Sequence, residues 1–132
     1  IGTTELDYEE GNWTPTTGSN TESVTGTYRK IGKVVYIQGT MYWGDFTGGN
    51  NYIMEACLPF DAGGTGQAGY INTGYFYTIA TAKTVFNGVV YAGSDDITWY
   101  AVSGTYTDNR NTSSAIFQTG ARFDFSGMYM VD

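Results

Sequence analysis

Lys33-Val34-Val35-Tyr36-Ile37-Gln38-Gly39-Thr40-Met41-Tyr42-Trp43 is the stretch on which the fold turns. Its side chains change character at every second position, the period of a β-strand and not of a helix. Val35, Ile37, Met41 and Trp43 share one face and read as core. Tyr36, Gln38, Thr40 and Tyr42 share the other. That second face carries phenols where a face exposed to plain water would carry lysines.

Working outward, residues 23–31 form a second candidate strand, and Gly32 punctuates the join, so the pair reads as a hairpin around residues 30–33. Upstream, Pro15 removes a ladder donor and pushes Thr14 out of the helical region, which places Trp13-Thr14-Pro15-Thr16 at a sheet edge. Downstream, residues 52–58 alternate again, with Tyr52, Met54, Ala56 and Leu58 opposite Ile53, Glu55 and Cys57, until Pro59 stops them. The Gly-rich residues 61–69 read as a mobile loop. Strands follow at 70–79, 84–91, 96–102 and 114–118. The final strand alternates most cleanly, with Ala121, Phe123, Phe125, Gly127, Tyr129 and Val131 inward, so the carboxyl end is expected to be tied into the sheet. About eight strands joined by Gly-rich turns, with no sustained helical period, imply an all-β fold: an antiparallel, jelly-roll-like β-sandwich. Residues 1–11 are acidic and read as a lead-in from a preceding domain of a longer protein, leaving 12–132 as one domain. In Thr25-Gly26-Thr27-Tyr28, Ser103-Gly104-Thr105-Tyr106 and Ser126-Gly127-Met128-Tyr129, a glycine two residues before a tyrosine would leave room for a ring from a neighbouring strand.

Composition narrows the function. The 132 residues are 41% hydrophobic and carry a net charge of -7 from 6 basic and 13 acidic side chains. Such a surface repels phosphate backbones, so no nucleic-acid partner is expected. No run approaches the roughly 20 apolar residues of a membrane helix, so no membrane insertion is expected either. The chain has no histidine, which removes imidazole-based catalysis and the common zinc sites. Gly63-Gly64-Thr65-Gly66 lacks the Lys-Ser/Thr pair of a phosphate loop. The single Cys57 lies in an apolar run and reads as a buried small hydrophobe. Asp95-Asp96, with Asp108, could face calcium, but a turn with side-chain-to-backbone hydrogen bonds is the simpler reading. Glu55 stands out among the acids for its apolar flanks, yet an isolated strand acid is a weak sign of a hydrolase. The expectation is a protein that binds or assembles, with no enzyme activity, no metal and no cofactor.

The anomaly is aromatic content, with 12 Tyr, 7 Phe and 3 Trp. A tyrosine offers an apolar ring for a sugar's C–H face and a hydroxyl at low entropic cost. Core packing, a subunit interface and a receptor site compete for these rings. The candidates for contact with a glycan or receptor are Tyr42, Trp43, Asp45, Tyr52, Tyr75, Tyr77, Tyr91, Trp99, Tyr100 and Arg110. Tyr36 shares a non-core face with Tyr42.

Four segments carry a resemblance. Asp7-Tyr8-Glu9-Glu10-Gly11-Asn12-Trp13-Thr14-Pro15-Thr16 resembles the opening of a carboxyl-terminal domain of bacteriophage and prophage tail-fibre and tailspike-like proteins. Gly26-Thr27-Tyr28-Arg29-Lys30-Ile31-Gly32, Leu58-Pro59-Phe60 and Ser126-Gly127-Met128-Tyr129 resemble its later segments. Residues 61–118 carry no signature of it. The resemblance implies a β-sandwich at the distal end of a virion tail fibre, assembled as a homotrimer next to a shaft domain. It also implies recognition of a host cell-surface polysaccharide or glycan. Two alternatives stand beside it: a trimerisation or capping domain without its own ligand, and a carbohydrate-binding module of an enzyme. The motifs themselves look structural and transfer no ligand site.

Overall fold

The computed structural model describes residues 7–15, 23–44, 53–79, 85–102 and 118–132. They contain eight strands: β1 (Tyr8–Trp13), β2 (Ser23–Ile31), β3 (Val34–Tyr42), β4 (Ile53–Met54), β5 (Gln67–Tyr77), β6 (Val85–Tyr91), β7 (Ile97–Val102) and β8 (Arg122–Met130). Among these residues no helix is long and apolar enough to cross a membrane.

All eight strands belong to one sheet in the order β1-β2-β3-β8-β5-β6-β7-β4, with every neighbouring pair antiparallel. The expected jelly-roll-like sandwich of two sheets is therefore replaced by a single curled sheet. Register shifts at Gln67/Gly69 and Thr73/Tyr75 bend β5, as bulges do. The curl brings the two sheet edges together: the Trp13 indole N–H of β1 donates to the Cys57 carbonyl, just beyond β4. The enclosed face holds Val35, Ile37, Met41, Trp43, Ile71, Trp99, Phe123, Phe125 and Tyr129, all buried.

The β2–β3 hairpin forms as expected, with Ile31 paired to Val34 across a two-residue loop. Gly32 takes φ +58, the positive value that glycine adopts most freely. β8 enters the middle of the sheet, between β3 and β5, so the final strand is indeed tied in. Its expected inward residues Ala121, Phe123, Phe125, Tyr129 and Val131 are buried.

β1 pairs with β2 in a register that runs unbroken from Tyr8↔Ile31 to Trp13↔Gly26. Two expectations change. The 52–58 strand is cut to Ile53–Met54. There Ala56 turns the chain at φ 49, its N–H donating to Asp96 Oδ1 at 2.8 Å. Residues 61–69 are anchored, since Ala62 N–H donates to Ser94 O at 2.8 Å and Gly63 N–H to Met130 O at 2.9 Å. The expected strand at 114–118 lies almost wholly outside the described residues, which resume at 118.

The four quoted segments meet on the enclosed face. A Cβ on Gly26 would lie 2.3 Å from the Trp13 ring, and Tyr28 lies over Gly11 while donating to Glu9 at 2.7 Å. The Tyr28 ring meets Phe60 edge-on at 5.3 Å. The Tyr129 hydroxyl donates to Phe60 O at 3.0 Å and accepts from Phe60 N–H at 3.2 Å. Gly26 thus makes room for a neighbouring ring. Gly127 makes room for backbone instead, because a Cβ there would lie 2.4 Å from Tyr70 O.

Candidate functional site on the open sheet face

Side chains that the enclosed face rejects form the opposite face of the sheet. Antiparallel register sets them in rows. Tyr42, Arg122 and Tyr77 stand side by side on β3, β8 and β5, and Thr40, Asp124 and Tyr75 stand beside them one step along. Tyr75 and Tyr77 reach this face because the Thr73/Tyr75 bulge shifts the parity of β5. Without it, odd-numbered residues of this strand would follow Ile71 inward.

The two rings meet edge-on, with centroids 5.7 Å apart at 70°. Tyr75 is 55%, Tyr77 40% and Tyr42 37% exposed. Arg122 Nε lies 3.6 Å from Asp124 Oδ1, with both side chains 40% exposed. Those two atoms are themselves buried, so what stays open on each side chain lies beyond their contact. Beyond Tyr77 the chain turns through Thr78 at φ 54, a strained value for a β-branched residue. The Thr78 carbonyl there accepts the Gln118 amide at 2.8 Å.

The cluster combines ring faces, guanidinium donors and carboxylate acceptors. Such a set can stack on the C–H face of a sugar and bond its hydroxyls.

Of the expected contact residues, Tyr42, Tyr75 and Tyr77 come together here. Tyr91 and Tyr100 lie apart, on β6 and β7, where their hydroxyls bond to each other. They meet diagonally across the Val89–Thr98 pair, over a buried Thr98. Trp43 and Trp99 are 0% exposed and so become supports instead of contacts. Their rings pack on Phe123, at 5.3 and 4.9 Å, from the enclosed side. Phe123 sits between Arg122 and Asp124, so this packing fixes the strand that presents both. Asp45, Tyr52 and Arg110 lie outside the described residues. Arg122 and Asp124 were absent from the expected set, although their position on the non-core face of the last strand was the available signal.

A polar band crosses four strands next to the cluster, pairing Thr27 with Gln38, Gln38 with Ser126 and Ser126 with Asn72. A groove of about 750 Å³ runs along it from Thr25 and Thr40 to Asp124. On the far side of the band, Tyr36, Met128 and Tyr70 form an apolar row with Ile31 and Met130 nearby, all exposed. A second groove, of about 810 Å³, lies over that row.

Among the described residues no group of three or more His, Cys, Asp or Glu is placed to hold a metal. Asp96 serves the 55–58 turn through Ala56. Burial pushes the Cys57 thiol up, away from its reactive thiolate form.

No family model matches this chain. No curated protein matches it in sequence. Among solved structures it is similar to the crystal structure of the Dettilon tailspike protein (gp208), with a TM-score of 0.70 and 16% identity. The match covers 93% of this chain and 24% of that one, so the chain spans about a quarter of the tailspike's length. The two share a fold.

Proposed function

We propose that this chain is the receptor-binding domain of a trimeric phage tail fibre or spike, seated on a preceding shaft domain in the virion. In this reading the open sheet face recognises a glycan on the host cell surface. The observation that carries it is the exposed cluster of Tyr42, Tyr75 and Tyr77 around the Arg122–Asp124 pair. The fold shared with a tailspike protein supports the setting. A binding role without catalysis agrees with a chain that has no histidine and a cysteine that is buried.

A second reading, a trimerisation or capping domain without a ligand, draws on the row of Tyr36, Met128 and Tyr70. Those exposed apolar side chains offer a surface for a neighbouring subunit. The two readings separate by experiment. Mass in solution is measured first, then adsorption to host cells and to their isolated surface polysaccharide. A trimer that adsorbs, and whose adsorption falls about tenfold or more on Tyr75→Ala, is the expected result. A trimer that never adsorbs would establish the capping role, and a stable monomer would sink the fibre architecture.

A further inference from the structure

Resting on the glycan reading of this face, we infer that its ligand is an uncharged polysaccharide. One sugar would stack at Tyr75 and Tyr77, and the chain would run along the neighbouring groove. The groove wall is the reason. Thr25, Thr27, Gln38, Thr40 and Ser126 line it, and Asp124 is the one charged residue on it. Hydroxyl and amide side chains both donate and accept, as a sugar hydroxyl does. None of them offers a cation to a uronate, sialate or phosphate.

Electrostatics point the same way. Two cations that flank this face are already paired, Arg29 with Glu10 at 3.5 Å and Arg122 with Asp124 at 3.6 Å. An anionic sugar would have to displace the Asp124 carboxylate or sit beside it, on a protein whose net charge is -7. An uncharged sugar meets neither obstacle. Its hydroxyls can bridge the guanidinium and the carboxylate while both stay in place.

Gly74 supplies an independent handle. It lines the groove at the bulge before Tyr75. A Cβ built on it would meet nothing within 4 Å, and its φ lies outside the left-handed region. A side chain added there meets none of the described residues at its first carbon and carries no left-handed backbone strain.

The test uses the full chain against an array of bacterial surface polysaccharides sorted into uncharged and acidic repeats. Thermal melting of each variant serves as the folding control. The expected result is binding confined to uncharged repeats, nearly unchanged between about 50 and about 500 mM salt. Gly74→Phe and Tyr75→Ala should each weaken that binding about tenfold or more. Binding confined to acidic repeats, falling with salt and lost in Arg122→Gln, would overturn the uncharged ligand and leave the glycan face standing. Binding undiminished in both Gly74→Phe and Tyr75→Ala would overturn this location, and with it the reading of the face. Failure to bind any polysaccharide would overturn the glycan reading together with this inference.

Discussion

The Tyr129 side chain shows how one atom can join distant parts of this chain. Its ring is buried, and burial pushes its phenol well above the usual range. The hydroxyl nevertheless satisfies both backbone groups of Phe60. Tyr129→Phe keeps the ring and strands those two groups, so it should cost about 1–3 kcal/mol in equilibrium urea unfolding. A smaller loss would mean that water replaces the hydroxyl.

Asp95 gives a pH-dependent counterpart. Partial desolvation first, then the neighbouring Asp96 and Asp61 charges, raise its pKa from 3.8. A raised folded value means that the folded state holds the proton more tightly. Asp95 therefore favours folding in its protonated form, and that contribution is lost as pH rises from about 3.8 through the folded value. Asp95→Asn should remove this decline, seen as a smaller drop in urea midpoint across the acid range relative to wild type. Inward and outward positions on β3 and β8 were legible from alternation alone. Trp43 read as core by alternation yet stayed a contact candidate by type, as did Trp99, because an indole suits a core and a sugar equally well.

Elements are set by where glycine is required, and two glycines test this in opposite ways. Gly32 has φ +58 and open space around a built Cβ. Gly32→Ala therefore meets only the left-handed backbone penalty, about 1–2 kcal/mol, and Gly32→Asn less. Gly127 has an ordinary backbone, but a Cβ there would press on Tyr70 O at 2.4 Å. Gly127→Ala must push β5 from β8, so its cost should reach the overpacking range of about 1–3 kcal/mol or more. Urea midpoints of Gly32→Ala, Gly32→Asn and Gly127→Ala check the order, and Gly127→Ala should fall below Gly32→Asn.

The hairpin at Gly32 was legible because its turn chemistry is local. The bulge that brings Tyr75 and Tyr77 outward was not. Residues 70–79 carry apolar groups at both parities, and only the partner strand shows where the phase shifts. The candidate site was half legible for the same reason. The tyrosines announced themselves by type, whereas Arg122 and Asp124 join them only through pairing with β3 and β5.

At the scale of the molecule, β8 is the strand whose ladders join two groups of strands. One side is β1-β2-β3 and the other is β5-β6-β7-β4. Strand number could be read from turn spacing, but this order could not, since spacing says nothing about which strands pair. It also accounts for one curled sheet in place of two, because β8 pairs along both its edges and joins the two groups into one sheet.

Every residue of β3 from Val34 to Tyr42 pairs with β8, and β5 pairs with its other edge. Removing residues 122–132 would expose both edges at once and take away Phe123, Phe125 and Tyr129, each worth about 1.5–3 kcal/mol of burial. That loss rivals the whole stability of a typical domain, about 5–15 kcal/mol. The truncated chain should therefore show no cooperative unfolding transition by circular dichroism and should bind a hydrophobic dye. A peptide of residues 121–132 added in trans should restore the transition by filling the gap between β3 and β5. A peptide with Phe123 and Phe125 replaced by Ser should fail, because it supplies the ladder without the core. Restoration by that peptide would show that backbone pairing alone joins the halves. A cooperative transition without any peptide would show that β5-β6-β7-β4 folds without β8.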